Sequence, residues 1–268
     1  MDSKVRAKKS LGQHFLTDQG IAKAVVVALV PGTVSPVLEV GPGMGVLTQY
    51  LLERPDIDLK LVEIDGESVD YLLAHFQDLQ GRLLQADFLR LQLEKFFPGE
   101  FRIIGNFPYN ISSQIFFKVL DYRDRIPEVV CMIQKEVAER LAEGPGSKTY
   151  GILSVLLQAW YEIEYLFTVG SGAFSPPPKV QSAVIRLRRN ARTELGCDEA
   201  LFKAVVKTSF GQRRKTLRNS LKPLLKAKAE REGWDEAQLT AFTADPVFDL
   251  RPERLSVEDF VLLTGKLE

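Results

Sequence analysis

The chain has 268 residues, of which 45% are apolar and 26% charged, so it is long enough for one large domain or for a large and a small one. Both values are typical of a soluble globular protein. Lys and Arg together number 35, as do Asp and Glu, and the resulting net charge of zero argues against a uniformly basic nucleic-acid-binding protein.

The rare residue types exclude several further classes. The two cysteines, Cys131 and Cys197, are far apart, so we expect no disulfide framework and a reducing compartment. With only two histidines and no Cys/His cluster, we expect no metal site. The longest apolar run, 24–30, is far shorter than the roughly 20 residues that span a bilayer. The N-terminus lacks the pattern of a signal peptide, and we expect a cytoplasmic protein.

The predicted elements alternate along most of the chain. A basic arm with Lys4, Arg6, Lys8 and Lys9 precedes a helix that Asp18 is expected to cap and that runs to Val30. Predicted strands follow at 37–40, 59–64, 82–86, 101–105, 129–134 and 180–187. Predicted helices lie at 46–53, 68–77, 112–120 and around 154–159. Strand–helix alternation at this spacing predicts an α/β fold with a parallel sheet and helices on both faces.

A glycine-rich loop follows the first predicted strand. Its sequence from Glu39 to Gly45 has glycines at 41, 43 and 45, which allow a sharp turn and close approach to a ligand. The dinucleotide fingerprint has a different glycine spacing, and Pro42 removes one N–H donor, so the loop favours S-adenosylmethionine over a dinucleotide. Glu63, at the end of the next strand, is expected to bind the ribose hydroxyls, with Asp65 as the competing candidate. Asp87 and Phe88 follow the third strand and suit the amino group and the ring of an adenine.

The tetrapeptide Asn106-Phe107-Pro108-Tyr109 is typical of a pocket for an amino group on a flat ring. Asn106 supplies a side-chain acceptor, and Pro108 fixes the backbone so that the Phe107 carbonyl points in one direction. Tyr109 supplies a face on which a base can stack. The alternative is a plain turn. The two motifs together indicate methyl transfer to the amino group of a nucleobase.

The distribution of charge divides the chain near Asn190. Ten Lys and Arg residues and a single acid lie between Lys203 and Arg231, whereas nine acids and three bases follow from 232 to 268. The net charge of zero therefore hides a basic, helix-rich segment. We predict two domains, a cofactor-binding catalytic domain at 1–192 with the basic N-terminal arm, and a small all-helical domain at 193–268 that binds RNA.

Seven motifs in this order resemble those of the bacterial ribosomal RNA small-subunit adenine N6,N6-dimethyltransferases. They cover most of the chain and lie at 11–16, 39–45, 61–65, 86–88, 106–112, 174–182 and 210–219. One departure is Gly211, where the family pattern leads us to expect serine. The resemblance implies a Rossmann-like class I methyltransferase fold with a helical C-terminal domain. It also implies S-adenosylmethionine as the methyl donor, S-adenosylhomocysteine as its product, and no metal.

The resemblance also implies a substrate and a set of site residues. The substrate is a pair of adjacent adenosines in a hairpin near the 3′ end of 16S rRNA, within an immature 30S subunit, and the enzyme is expected to be a monomer. The candidate catalytic residues are Asn106, Phe107, Pro108, Tyr109 and Phe174. The candidate cofactor ligands are Gln13, His14, Leu16, Gly41, Gly43, Glu63, Ile64, Asp87, Phe88 and Asn106. The candidate RNA contacts are Lys8, Lys9, Lys179, Arg213, Arg214, Lys215 and Arg218.

Simpler interpretations of several motifs stay open from the sequence. Gln13 and His14 could cap the first helix, and Lys8 and Lys9 could belong to a solvated tail. The basic run at 213–218 could be a charged helix face, and Phe174 could lie in a loop stiffened by the prolines that follow it.

Rival functions also stay open. The nearest is a large-subunit rRNA adenine methylase of the macrolide-resistance type, against which the basic segment at 212–219 argues. An N6-adenine DNA methylase would need a target-recognition insertion, which the chain lacks. A non-catalytic assembly or transcription factor on the same fold is the third rival, and the intact Glu63, Asp87 and Asn106 argue against it.

Overall fold

The computed structural model of the chain describes residues 5–30, 32 and 35–268, so that Lys4 of the basic arm lies outside the described residues. The chain divides into two compact units. The first comprises Met1–Glu139 and Glu162–Arg189, and the second comprises Arg140–Tyr161 and Asn190–Glu268. The boundary at 192/193 and the function of each domain remain predictions, and residues 140–161, placed in the first domain by the sequence, lie in the second unit.

A seven-stranded sheet is the main element of the first unit, together with a sheet of two very short strands. Its strands run in the order β4-β3-β2-β5-β6-β9-β7, in which β4, β3, β2, β5 and β6 are parallel and β9 is antiparallel to β6. The strands are β1 (Phe15–Leu16), β2 (Ser35–Val40), β3 (Ile57–Glu63), β4 (Leu83–Gln85), β5 (Arg102–Asn106), β6 (Glu128–Gln134), β7 (Tyr161–Val169), β8 (Phe174–Ser175) and β9 (Ser182–Arg189).

Helices connect many of the strands and continue beyond the last of them. They are α1 (Gln19–Ala28), α2 (Thr48–Leu52), α3 (Gly66–His75), α4 (Ser112–Asp121), α5 (Lys135–Ala142), α6 (Ile152–Gln158), α7 (Glu199–Gly211), α8 (Leu217–Ser220), α9 (Lys222–Glu232), α10 (Glu236–Phe242) and α11 (Val257–Leu267). Beyond Arg189 every described element is helical, which confirms the predicted helical C-terminal region. Buried apolar side chains such as Phe202, Phe248 and Phe260 form the interior of that unit.

The predicted α/β alternation is confirmed in its main elements. Each of the six predicted strands overlaps an observed one, namely β2, β3, β4, β5, β6 and β9. Asp18 caps α1 as predicted, because its Oδ1 accepts a hydrogen bond of 3.0 Å from the backbone N–H of Ile21. The helix ends at Ala28, two residues earlier than the pattern indicated. The strand β7, the short strands β1 and β8, and the helix α5 were not predicted from the sequence.

The parallel register brings the ends of four strands to one edge of the sheet. Val40 at the end of β2 is paired with Val62, next to Glu63 at the end of β3. Asn106, at the end of β5, is paired with Met132 of β6. The strand order reverses between β2 and β5, with β3 and β4 on one side and β6 on the other. Ligands of open α/β sheets bind at the carboxyl edge beside such a reversal.

Candidate active site

A cavity of about 230 Å³ lies at this edge of the sheet. Two parts of the first unit line it. One part is the set of segments that follow the strand ends, and the other is a stretch near the N-terminus. The lining segments are 10–16, 39–44, 46–47, 62–64, 86–89 and 106–111. The cavity therefore brings together the glycine-rich loop, Glu63 at the end of β3, Asp87 after β4, and the tetrapeptide, as a single site requires.

The glycine-rich loop lies close to the N-terminal stretch. Gly43 has a φ of 56°, in the left-handed region that other residues rarely adopt. A Cβ atom at this position would lie 2.9 Å from the ring of Phe15, so the close approach of the two segments also requires glycine. The loop backbone is tied to the next strand, since the N–H of Gly43 donates to Oε2 of Glu63 at 3.1 Å.

Glu63 and Asp65, the two candidates for the ribose hydroxyls, differ in their partners. Oε1 of Glu63 accepts hydrogen bonds of 2.9 Å from the N–H groups of Ile64 and Asp65, so its acceptors are held by backbone donors alone. Burial raises the pKa of Glu63, although these backbone donors lower it. Asp65 accepts instead from side chains, and it does not line the cavity. The geometry favours Glu63 as the ribose ligand.

A second buried acid, Glu39, lies at the start of the glycine-rich loop and lines the cavity. Its side chain is almost fully buried, and its Oε2 accepts a hydrogen bond of 2.7 Å from Oγ1 of Thr48. Burial raises the pKa of Glu39 to about 8, while the Thr48 hydroxyl lowers it and the nearby Glu63 raises it. Glu39 is therefore largely protonated at neutral pH, and Glu63 is the better placed of the two to accept from a ligand hydroxyl.

The segment that follows β4 carries Asp87 and Phe88 into the cavity lining. Asp87 caps a short turn through a 2.9 Å hydrogen bond from the N–H of Leu89. The ammonium group of Lys118, on α4, donates to the carbonyl oxygens of Leu89 and Leu91 at 3.1 and 2.5 Å and lies 5.2 Å from the Phe88 ring centroid. Lys118 thus fixes the turn that presents both cavity residues. No local pattern in the sequence pointed to it.

The tetrapeptide begins at the last residue of β5. Nδ2 of Asn106 donates a 2.9 Å hydrogen bond to the carbonyl oxygen of His14. Because a carbonyl can only accept, this contact assigns the amide nitrogen to His14 and leaves Oδ1 as the acceptor for a ligand. The N–H of Phe107 donates to the carbonyl of Met132, and its ring is buried against the edge of Phe116. Phe107 therefore anchors the tetrapeptide through its side chain, which leaves only its carbonyl for a substrate role.

Tyr109 is held by two contacts. Its hydroxyl lies 2.5 Å from Oγ of Ser182, and its ring is stacked on that of His14 with centroids 5.4 Å apart. Burial raises the pKa of Tyr109, although the Ser182 hydroxyl lowers it, so the phenol keeps its proton at neutral pH. Nδ1 of His14 lies 2.9 Å from the carbonyl of Pro176 and must carry a hydrogen there. His14 therefore does not cap α1, and Tyr109 presents a neutral ring.

Phe174 lies outside the cavity lining. Only 4% of it is exposed, and it packs in the core of the first unit while its backbone pairs with that of Leu16. A position over the second face of a target base, which the sequence analysis suggested, does not agree with this burial. Leu16 and Phe88 are also buried, whereas Ile64 is 49% exposed and offers an apolar surface beside Glu63.

The predicted RNA contacts fall into two groups. Lys9, Lys179, Arg214 and Lys215 are exposed. The other three are engaged within the chain. Lys8 is paired with Asp65 and Glu67, Arg213 donates to the carbonyl of Ser147, and Arg218 forms a 2.6 Å ion pair with Asp249. The exposed lysines and arginines are thus the better candidates for phosphates.

Residues 5–30, 32 and 35–268 contain no group of three or more His, Cys, Asp or Glu that could hold a metal ion. The same part of the chain has no helix long and apolar enough to cross a membrane.

Comparison with known proteins places the chain among RNA methyltransferases. A family model described as ribosomal RNA adenine dimethylase matches residues 4–241. A protein of Parabacteroides distasonis named ribosomal RNA small subunit methyltransferase A is 64% identical over 97% of this chain and 93% of its own length. One of the same name from Porphyromonas gingivalis is 57% identical over 99% of both chains.

Solved structures agree on the fold. A dimethyladenosine transferase from Plasmodium falciparum is similar with a TM-score of 0.76 at 22% identity, covering 95% of this chain and 96% of that one. The 23S rRNA methyltransferase ErmE is similar with a TM-score of 0.65 at 26% identity, covering 94% of this chain and 99% of that one.

Proposed function

The chain belongs to the ribosomal RNA adenine dimethylase family, and from this premise we propose that it dimethylates N6 of two adjacent adenosines in small-subunit rRNA. The methyl donor is S-adenosylmethionine, and the substrate is a 3′-terminal hairpin of 16S rRNA within the immature 30S subunit, on which the enzyme acts as a monomer in the cytoplasm. The observation that carries the proposal is the single cavity shared by Glu63 and the tetrapeptide from Asn106 to Tyr109.

The residues present fit S-adenosylmethionine. Glu63 offers a carboxylate for two ribose hydroxyls at the end of β3, and Ile64 and Phe88 offer apolar surface for a flat ring. Asp87 offers an acceptor for an exocyclic amino group. When bound, the cofactor supplies a methyl group on a positively charged sulfur, which the acidic lining favours. Gln13, His14, Leu16, Gly41 and Gly43 complete the set that we assign to cofactor binding.

The chain's own groups position the attacking nitrogen. The lone pair of adenine N6 is drawn into the ring, so its two hydrogens must be held in a geometry that releases it. Oδ1 of Asn106 and the carbonyl of Phe107 are the acceptors for these hydrogens, and Pro108 fixes the direction of that carbonyl. Positioning of this kind can contribute roughly 7–11 kcal/mol to lowering a barrier. A strong general base is unnecessary because N6 becomes acidic once it carries the methyl group.

Tyr109 supplies the surface that the base needs after leaving its stack. Extrusion of a base costs a few kcal/mol, and stacking on an aromatic ring contributes roughly 1–3 kcal/mol. The contacts of Tyr109 with Ser182 and His14 hold its ring in place before the base arrives. After the first transfer only one N6 hydrogen remains, so one of the two acceptors must tolerate a methyl group during the second.

RNA outside the cavity meets exposed basic residues. We assign Lys9 and Lys179 in the first unit and Arg214 and Lys215 in the second to phosphate contacts, with Arg213 and Arg218 holding their segment in shape. When binding depends on phosphate contacts, the logarithm of the binding constant falls linearly with the logarithm of the salt concentration. A flat salt dependence of RNA binding would contradict this assignment.

The test is methyl transfer to isolated ribosomal particles. Methyl-labelled S-adenosylmethionine is incubated with the protein and either immature 30S or 50S particles, and the modified nucleosides are identified by mass spectrometry. We expect N6,N6-dimethyladenosine in the small-subunit RNA only. Label in the 50S particles alone would establish the large-subunit activity that the likeness to ErmE keeps as a rival. No label in either would favour a non-catalytic assembly role.

A further inference from the structure

The segment Lys8–Leu16, here called the N-terminal strap, forms one wall of the cavity although it has little regular structure. Residues 10–16 all line the cavity. Within the strap, only a short 3-10 turn at Lys9–Leu11 and the two-residue strand β1 are regular. Its position must therefore be set mainly by individual contacts to the rest of the first unit.

One end of the strap is held by Asp65. The ammonium group of Lys8 lies 2.5 Å from Oδ1 of Asp65 and 3.0 Å from Oε1 of Glu67. Nε2 of Gln13 donates to Oδ2 of Asp65 at 3.4 Å, and its Oε1 accepts from the N–H of Lys8 at 2.8 Å. The Asp65 side chain is only 2% exposed, so the carboxylate of Asp65 needs these donors to remain charged. Lys8 and Gln13 thus brace each other on one buried carboxylate.

The charge states agree with this geometry. Burial raises the pKa of Asp65, but hydrogen bonds from Lys8, Gln13 and Ser68 outweigh it and hold the pKa below its usual value. The hydrogen bonds to Asp65 and Glu67 raise the pKa of Lys8. Both members of the pair are therefore ionised at neutral pH.

The other end of the strap is held without charged partners. His14 contributes its carbonyl to Asn106 and its Nδ1 hydrogen to Pro176, and β1 pairs with β8. In the middle, Gly12 has a φ of 63°, and a Cβ atom there would lie 2.5 Å from Oδ1 of Asn110. Lys8 is 37% exposed, so solvent can reach its pair with Asp65.

We propose that Lys8 and Asp65 are positioning residues whose ion pair latches the N-terminal strap over the cofactor and sets how fast the cofactor leaves. The inference rests on the proposed function, because it assumes that S-adenosylmethionine occupies this cavity. It gives Lys8 a role different from that of its neighbour Lys9, which is exposed. It also explains why Asp65 is not the ribose ligand, since its oxygens are taken by the chain's own donors.

The test compares two adjacent lysines with the same change of charge. Dissociation of labelled S-adenosylmethionine is measured without RNA for the full-length wild type, Lys8→Met and Lys9→Met. We expect Lys8→Met to release the cofactor about tenfold faster, as for loss of a hydrogen bond between charged groups. Lys9→Met should stay within about twofold of the wild type. Lys8→Arg, which keeps the charge and the donors, should restore most of the slow release.

A second variant shows whether the effect passes through Asp65. Asp65→Asn should also speed release, and the double variant Lys8→Met with Asp65→Asn should be no faster than the faster single variant, because the two residues share one interaction. Additive effects of the two changes would overturn the latch. Thermal unfolding of each variant identifies any that fails to fold. If Asp65→Asn fails to fold, the comparison of Lys8→Met with Lys9→Met still shows whether Lys8 sets the rate of cofactor release.

The same measurements distinguish a wrong assignment of Lys8 from a wrong assignment of the cofactor. If the wild type binds the cofactor, and Lys8→Met and Lys9→Met release it equally slowly while both weaken RNA binding, Lys8 is an RNA contact and the latch is wrong. If the wild type binds no cofactor, the proposed function and the latch are both wrong.

Discussion

The two walls of the cavity are built by different means. The wall formed by the glycine-rich loop, Glu63, Asp87 and Asn106 follows directly from strand ends, and its polar groups are held largely by backbone N–H groups and by the sheet. The N-terminal strap forms the opposing wall and depends on long-range side-chain contacts, the pairing of β1 with β8 and the small size of two glycines. The first wall, here called the sheet wall, and the strap thus depend on different kinds of interaction.

The largest expected effect comes from Asn106, because it belongs to the sheet wall and also touches the strap. Asn106→Ala removes the acceptor for N6 and the donor to the His14 carbonyl. We expect kcat to fall by about 10²–10³, as for loss of one preorganised polar group that acts on the reacting centre. The dissociation constant for the cofactor should rise by less than about tenfold, since only one strap contact is lost.

Single-turnover methylation and direct cofactor binding separate the two contributions. A normal rate of methylation in Asn106→Ala would contradict the mechanism. A normal rate together with rapid cofactor release would show that Asn106 serves only to join the two walls.

The sheet wall was accessible from the sequence because its signals are local. The strands appear as short apolar runs, with glycines directly after the first strand of the parallel sheet and an acid at the end of the second. Parallel pairing then brings these strand ends to the same edge of the sheet. The fold class and six strands followed from this. The missed strand β7 is the last in the sheet order, where one neighbour is absent, and most of its residues are only half-buried, so its apolar pattern is weak.

The strap was predictable only in part. Its motif at 11–16 pointed to the cofactor through family resemblance, but the partner of Lys8 is 57 residues away, and nothing in the local pattern connects the two. The same holds for Lys118, which is 29 residues from Leu89. The burial of Phe174 depends on the pairing of two-residue strands, which are too short to leave a periodic signal. Contacts between residues so far apart in the sequence can be identified only from the folded structure.

A change at Lys118 tests whether the sheet wall also depends on a side-chain contact. Lys118→Met would leave the carbonyl groups of Leu89 and Leu91 without their ammonium donor and loosen the turn that presents Asp87 and Phe88. We expect about tenfold weaker cofactor binding, comparable to the effect at Lys8. Lys118→Arg, whose guanidinium can donate to both carbonyls, is the matched control and should bind nearly as well as the wild type.

Equilibrium titration with S-adenosylhomocysteine measures this difference. Unchanged affinity in Lys118→Met would mean that the N–H of Leu89 and the side chain of Arg90 hold Asp87 without help from Lys118. Equal losses in Lys118→Met and Lys118→Arg would assign the effect to packing against Phe88 and not to the hydrogen bonds.

The last expected effect concerns the pH dependence of stability, which runs in opposite directions at the two walls. Glu39 under the glycine-rich loop has a pKa raised to about 8 from a usual value of 4.5. Its contribution is fully present below about pH 4.5 and is lost as pH rises through about 8, because the unfolded chain ionises first. Asp65 has a lowered pKa, so its contribution is lost only as pH falls below its usual value of 3.8. The sheet wall should therefore lose stability as pH rises from about 4.5 to about 8, and the strap should lose stability as pH falls below 3.8.

Glu39→Gln isolates the contribution of Glu39 to the pH dependence of stability, because glutamine cannot ionise and its side-chain oxygen can still accept from Thr48. Urea unfolding at roughly pH 5 and pH 9 should show the variant gaining stability relative to the wild type at the higher pH. Thr48→Val removes the hydroxyl that lowers the pKa of Glu39, so it should raise this pKa further and extend the loss of stability to higher pH than in the wild type. Parallel pH profiles for Glu39→Gln and the wild type would show that Glu39 is already ionised in the folded protein, and the contrast between the two walls would then rest on geometry alone.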